Sequence, residues 1–118
     1  MAYPGSTIDY GDPVVATKSQ TVTIASGVAT VARLTPVIVL AAESSTTDTL
    51  DTLTVANIQA GDTTVLVADT GDTITVDDAN IDLGAATRAV APGGSLAIRY
   101  DGTSWVEVAF LAAADNTT

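Results

Sequence analysis

The densest run of potential ligands in this 118-residue chain is Asp77-Asp78-Ala79-Asn80-Ile81-Asp82. Asp78, Asn80 and Asp82 have the spacing of the first three oxygen ligands of an EF-hand loop. The sixth position is Leu83 instead of glycine and the twelfth is Ala89 instead of glutamate, so an EF-hand is excluded. An oxygen-ligand Ca²⁺ site at a strand end remains, set against an ordinary Asp/Asn turn. The turn is favoured, because a hard cation needs about six to eight oxygens. No metal and no cofactor are expected.

Other chemistry has few means. The chain lacks histidine and cysteine, which removes Ser–His and Cys–His nucleophile pairs, thiolate metal sites and disulfides. Lys18 is the only lysine and lies in polar sequence, without the apolar surroundings of a nucleophilic amine. Glycoside hydrolysis needs two facing carboxylates. Aspartates are plentiful but sit at turns, where their ordinary task is capping. No phosphate loop, zinc pattern or nucleotide fingerprint is present. The chain is expected not to be an enzyme. Trp105 and Tyr100 could stack on a sugar, but with one Trp, one Phe and three Tyr a core or interface plug is the simpler use.

Tyr100 and Trp105 lie on one element, Ser95 to Phe110 (SLAIRYDGTSWVEVAF). Two alternating runs flank Asp101-Gly102, which predicts a β-hairpin, because glycine accepts the positive φ of a tight turn. Trp105 falls near Tyr100 across the ladder, a pairing that fixes register.

Charge and composition bound the partners. Net charge is −10, with fourteen acidic residues against Lys18, Arg33, Arg88 and Arg99, which are scattered singly. Duplex binding needs clustered cations, so neither nucleic acid nor an anionic membrane is expected as a partner. No run approaches the roughly 20 apolar residues of a membrane span. The start, MAYPGSTIDYGDP, lacks a basic region followed by an apolar one and does not read as a signal peptide.

In chain order, residues 1–13 read as an extended arm broken by Pro4-Gly5 and Gly11-Asp12-Pro13, with Tyr3, Ile8 and Tyr10 as its large side chains. They are candidate interface residues, since tyrosine offers area at low entropic cost. A β domain is expected over 14–111 and a polar tail over 112–118. Thr21–Ala25 and Val28–Leu34 about Ser26-Gly27 read as a second hairpin. Val37–Ala41 (VIVLA) is apolar throughout and reads as a strand buried on both faces, or as one with a face against another subunit; Val37 and Val39 are therefore interface candidates, as is Trp105. Glu43–Asp51 reads as a loop. Thr52–Ile58, Thr63–Ala68, Thr73–Asp77 and Ile81–Leu83 read as strands. Ala85–Ala91 reads as a loop or one helical turn. Gly61-Asp62-Thr63 and Gly71-Asp72-Thr73 form a weak ten-residue repeat, and two copies are too few for a solenoid. Short strands with turns every eight to twelve residues predict an all-β fold: a small antiparallel β-sandwich or barrel, jelly-roll-like or a meander.

The hairpin, with the preceding GDTITVDDANIDLG, resembles short β segments of tailed-phage structural proteins: head decoration proteins, head fibres and tail-fibre modules. The resemblance spans about Gly71 to Phe110. It implies a virion structural protein, a decoration or cement subunit on the capsid surface. It further implies a homo-oligomer, commonly a trimer, that binds the major capsid protein or other virion subunits and stabilises the shell. The alternative is a receptor- or carbohydrate-binding module of a head or tail fibre.

Overall fold

The computed structural model describes residues 18–113. The arm with Tyr3, Ile8 and Tyr10, positions 14–17 at the start of the expected β domain, and residues 114–118 of the tail lie outside the described residues. The described residues are all-β, with no helix among them, and form a β-solenoid of about three turns.

The first coil contains β1 (Ser19–Thr23) and β2 (Val28–Val31). The second contains β3 (Val37–Ala41), β4 (Thr47–Leu50) and β5 (Thr52–Val55). The third contains β6 (Thr63–Ala68), β7 (Thr73–Asp77) and β8 (Ile81–Asp82). Successive coils stack in parallel: β1 on β3 on β6, β2 on β5, and β4 on β7. The chain then reverses. β9 (Thr87–Val90) runs antiparallel to β7, and β10 (Ser95–Tyr100) antiparallel to β6. β11 (Trp105–Leu111) returns along β10 and meets β8 in parallel. This reversed layer covers the last coil.

The sandwich or barrel expected from the sequence is therefore corrected. Period-two alternation tells which face of a strand is buried, and it does not tell which strand pairs with which. Turns taken for hairpins are coil corners. Ser26 and Gly27 both have positive φ (51° and 80°) and close a tight turn, with reciprocal bonds between Ala25 and Val28. Beyond that single bridge the strands part into different sheets, so the second expected hairpin does not form. Likewise, Gly61-Asp62 and Gly71-Asp72 are consecutive corners of one coil. The true repeat is the coil, seen as Val37 over Val65 and Thr47 over Thr73.

Three local expectations change for related reasons. Thr47–Leu50 is a strand within the expected loop, because Leu50 is fully buried and each residue stacks on its β7 partner. Thr87–Val90 is a strand, held on β7 with Val90 inside. Val37–Ala41 is fully buried on one face alone. Ile38 and Leu40 point into the core, while Val37 and Val39 are half-buried outside.

The core is a set of columns. Ile38, Leu66 and Leu96 lie in register on β3, β6 and β10, each fully buried. Ala29 pairs with Leu53, and Val31 with Val55. Thr64 is buried with its hydroxyl donating to the Thr35 carbonyl at 2.9 Å, so its polar group is not left unpaired. Trp105 closes the top of the core, with 1% of its surface exposed, edge-on to Tyr100 at 5.3 Å between ring centroids. The Trp hairpin expected at Ser95–Phe110 is thus present.

Candidate functional site

Two side chains of the Asp/Asn run after β7, Asp78 and Asn80, use their oxygens on backbone. Asn80 donates Nδ2 to the Leu53 carbonyl at 2.7 Å, and its Oδ1 accepts from the Leu53 N–H at 2.9 Å. A side-chain amide has the donor and acceptor of a peptide group, so Asn80 continues the ladder of β5 where β8 has not begun. Asp78 Oδ1 accepts from the Leu83 N–H at 3.1 Å, and Asp82 is exposed. Among the described residues no group of three or more acidic residues stands close enough to hold a metal ion. Asn80 thereby bridges two coils, and Asp78 helps turn the chain.

Carboxylates elsewhere share this habit. Asp101 takes the N–H groups of Thr103 and Ser104, both at 2.8 Å, and these hold its carboxyl below the usual range. Asp72 accepts from the Ala42 N–H, and Glu43 from the Ser26 N–H, so each ties one coil to the next. Asp77 is different. A hydrogen bond with Asp51, then desolvation, then repulsion from Asp51 push its carboxyl up.

One ion pair fastens the covering layer. Arg88 of β9 meets Glu107 of β11 through two bonds of 2.9 Å, and the Gly84 N–H donates to the same carboxylate at 3.1 Å. The guanidinium also lies 4.9 Å from the centre of the Phe110 ring. The Arg88 bonds pull Glu107 down, against partial burial, and Glu107 pushes Arg88 up.

The surface that stands out is the outer face of the sheet β1-β3-β6-β10-β11. One row across it reads Ser19, Val37, Val65, Ala97, Ala109. The next holds Thr21, Val39 and Val67 in register, and Ser95 pairs with Leu111 at its far end. The pairing of β10 with β11 shifts between Ala97 and Ile98, leaving Val108 as a bulged residue. Val108 is 60% exposed and Leu111 48%. Pro36, Val65, Ala97, Ile98 and Val108, with Thr63 and Thr64, line a shallow groove of about 240 Å³.

Of the interface candidates, Val37 and Val39 lie on this face, and Trp105 is buried in the core. Tyr3, Ile8 and Tyr10 lie outside the described residues. Sequence reasoning missed Val65, Val67, Val108 and Leu111 as neighbours of Val37 and Val39. The runs TTVLVA and WVEVAF carry the apolar signal, but only coil stacking places them side by side. No family model, curated protein or solved structure matches this chain. Among the described residues no helix is long and apolar enough to cross a membrane.

Proposed function

We propose that this chain is a structural subunit that works by binding protein neighbours, and that it decorates a phage head. The observation that carries the reading is the apolar outer face bearing Val37, Val39, Val65, Val67, Val108 and Leu111. From strand spacing and rise its footprint is roughly 300–400 Å². That is the size of the largest apolar patch on an ordinary monomer, a patch that is often functional. The footprint is about half the ~800 Å² per partner of a stand-alone complex. It suits one contact among several on a repeating lattice, where many weak sites act together. The phage assignment rests on the resemblance of Gly71 to Phe110, and the trimer and capsid partner rest on it too.

The fibre-tip alternative needs exposed aromatic residues on loops. Trp105 is buried and Tyr100 packs against it, which favours the structural reading.

The test is sedimentation velocity over a concentration series, alone and with tailed-phage heads stripped of their decoration protein. Self-association or head binding is expected, and Val108→Glu should weaken it without changing the circular dichroism spectrum. A chain that stays monomeric at every concentration and ignores the heads would overturn the reading.

A further inference from the structure

Next to its apolar rows, the outer face of the large sheet carries one row with charges. Its register runs Thr63 on β6, Arg99 on β10, Val106 on β11 and Asp82 on β8. The adjacent residues along these strands, Thr64, Ile98, Trp105 and Ile81, are buried. Alternation therefore turns the row outward, and Arg99 and Asp82 are both exposed. Each lies one strand from Val106, so the two charges stand about 10 Å apart on opposite sides of β11. That is too far for a contact ion pair within the chain. Among the described residues the one ion pair is Arg88 with Glu107, and neither Arg99 nor Asp82 makes a side-chain hydrogen bond. Arg99 acts on Asp101 through charge alone, and that carboxylate is already taken by the Thr103 and Ser104 N–H groups. The strand between the charges also carries Val108 and Leu111, the two exposed large apolar side chains among the described residues.

We propose that this strip docks a second copy of the chain, β11 against β11, with Arg99 of each copy meeting Asp82 of the other. The charges fix the arrangement. Sheets pack face to face about 10 Å apart. A two-fold axis along β11 leaves β11 over β11 and exchanges the strands on either side, so β10 of one copy lies over β8 of the other. Arg99 then meets Asp82 twice, and Val106, Val108 and Leu111 meet their own counterparts. A two-fold axis across the strands through the same row would set Arg99 against Arg99 and Asp82 against Asp82, and like charges in contact are costly. The proposed contact is isologous, one patch complementary to itself. The strip offers this complementarity although the chain as a whole carries a net charge of −10, which opposes association elsewhere on its surface. Three strands wide and seven residues long, it covers roughly 300 Å² by strand spacing and rise. That is below the roughly 800 Å² per partner of a stand-alone complex, so the dimer is weak. The valines of β3 and β6 lie to one side of it. The inference does not depend on the decoration reading.

The experiment is sedimentation equilibrium on the full chain up to about 1 mM protein, at physiological ionic strength, where exposed charges are screened beyond about 8 Å. A monomer–dimer equilibrium is expected. Arg99→Asp and Asp82→Arg should each weaken it roughly tenfold or more, with the circular dichroism spectrum unchanged, since each sets like charges face to face. Asp82→Arg lowers the net negative charge, so weaker association there is not the work of overall repulsion. An equimolar mixture of the two variants should associate as the unmodified chain does, because each supplies the charges the other lacks. The double variant should do the same. Single variants that dimerise like the unmodified chain, a mixture that does not recover, a trimer, or a chain monomeric at every concentration would each overturn the proposal. A monomeric chain that binds phage heads would overturn it and leave the decoration reading standing.

Discussion

Replacing Asn80 separates a bridge between coils from a cation ligand. Asn80 makes two hydrogen bonds to the backbone of Leu53, at 2.7 and 2.9 Å, in a half-buried position. Each such bond contributes about 0.5–1.5 kcal/mol net, and its loss leaves a backbone group short of a partner. Asn80→Ala should therefore cost about 1–3 kcal/mol. For a domain of this size that lowers the melting temperature by about 4–8 °C per kcal/mol. Asn80→Asp is the sharper variant. It keeps the acceptor for the Leu53 N–H and sets a carboxylate oxygen against the Leu53 carbonyl. Protonation restores a donor, so the aspartate's folded pKa should lie above its unfolded one. Its stability deficit should be small in acid and grow as pH rises through the raised value. A cation site predicts the reverse, since an added carboxylate strengthens Ca²⁺ binding. The assay is urea unfolding followed by Trp105 fluorescence, with and without Ca²⁺. Trp105 is the only tryptophan, it is buried, and its backbone N–H donates to the backbone carbonyl of Asn80 at 3.1 Å. An Asn80→Ala midpoint equal to wild type, or an Asn80→Asp chain stabilised by Ca²⁺ above wild type, would refute the reasoning.

Three further outcomes follow from the same geometry. Asp77 is pushed up chiefly by its hydrogen bond with Asp51, so this pair favours folding in acid and loses that contribution as pH rises through the raised value. Asp77→Asn should raise stability at neutral pH in urea melts and flatten the pH dependence on the acid side. Glu107 is pulled down by Arg88, so its contribution is present above the ordinary carboxylate range and is lost as pH falls through the lowered value. Glu107→Gln should remove that loss and speed amide exchange in β9, which NMR would read. Leu66, fully buried between Ile38 and Leu96, should cost about 2–5 kcal/mol as Leu66→Ala, measured by the urea midpoint.

The sequence by itself determined the class of structure and much of the strand placement. Alternating Thr and Val between Gly-Asp corners place β6 at Thr63–Ala68 and β7 at Thr73–Asp77, and the Asp-Gly turn marks the β10–β11 hairpin. Local rules suffice for these, because a strand's alternation and a turn's backbone demands are written within a few residues. The tertiary structure alone decided the rest. Whether the chain after Gly27 reverses onto β1 or bends into another wall depends on partners more than twenty residues away, such as Thr52 for Val28. Asn80 reads as a possible ligand until Leu53 is placed against it. Trp105 reads equally as plug or contact until the covering layer buries it. Val37, Val65 and Ala97 become one surface only when the coils stack, since period two gives each strand a face and leaves its neighbours open.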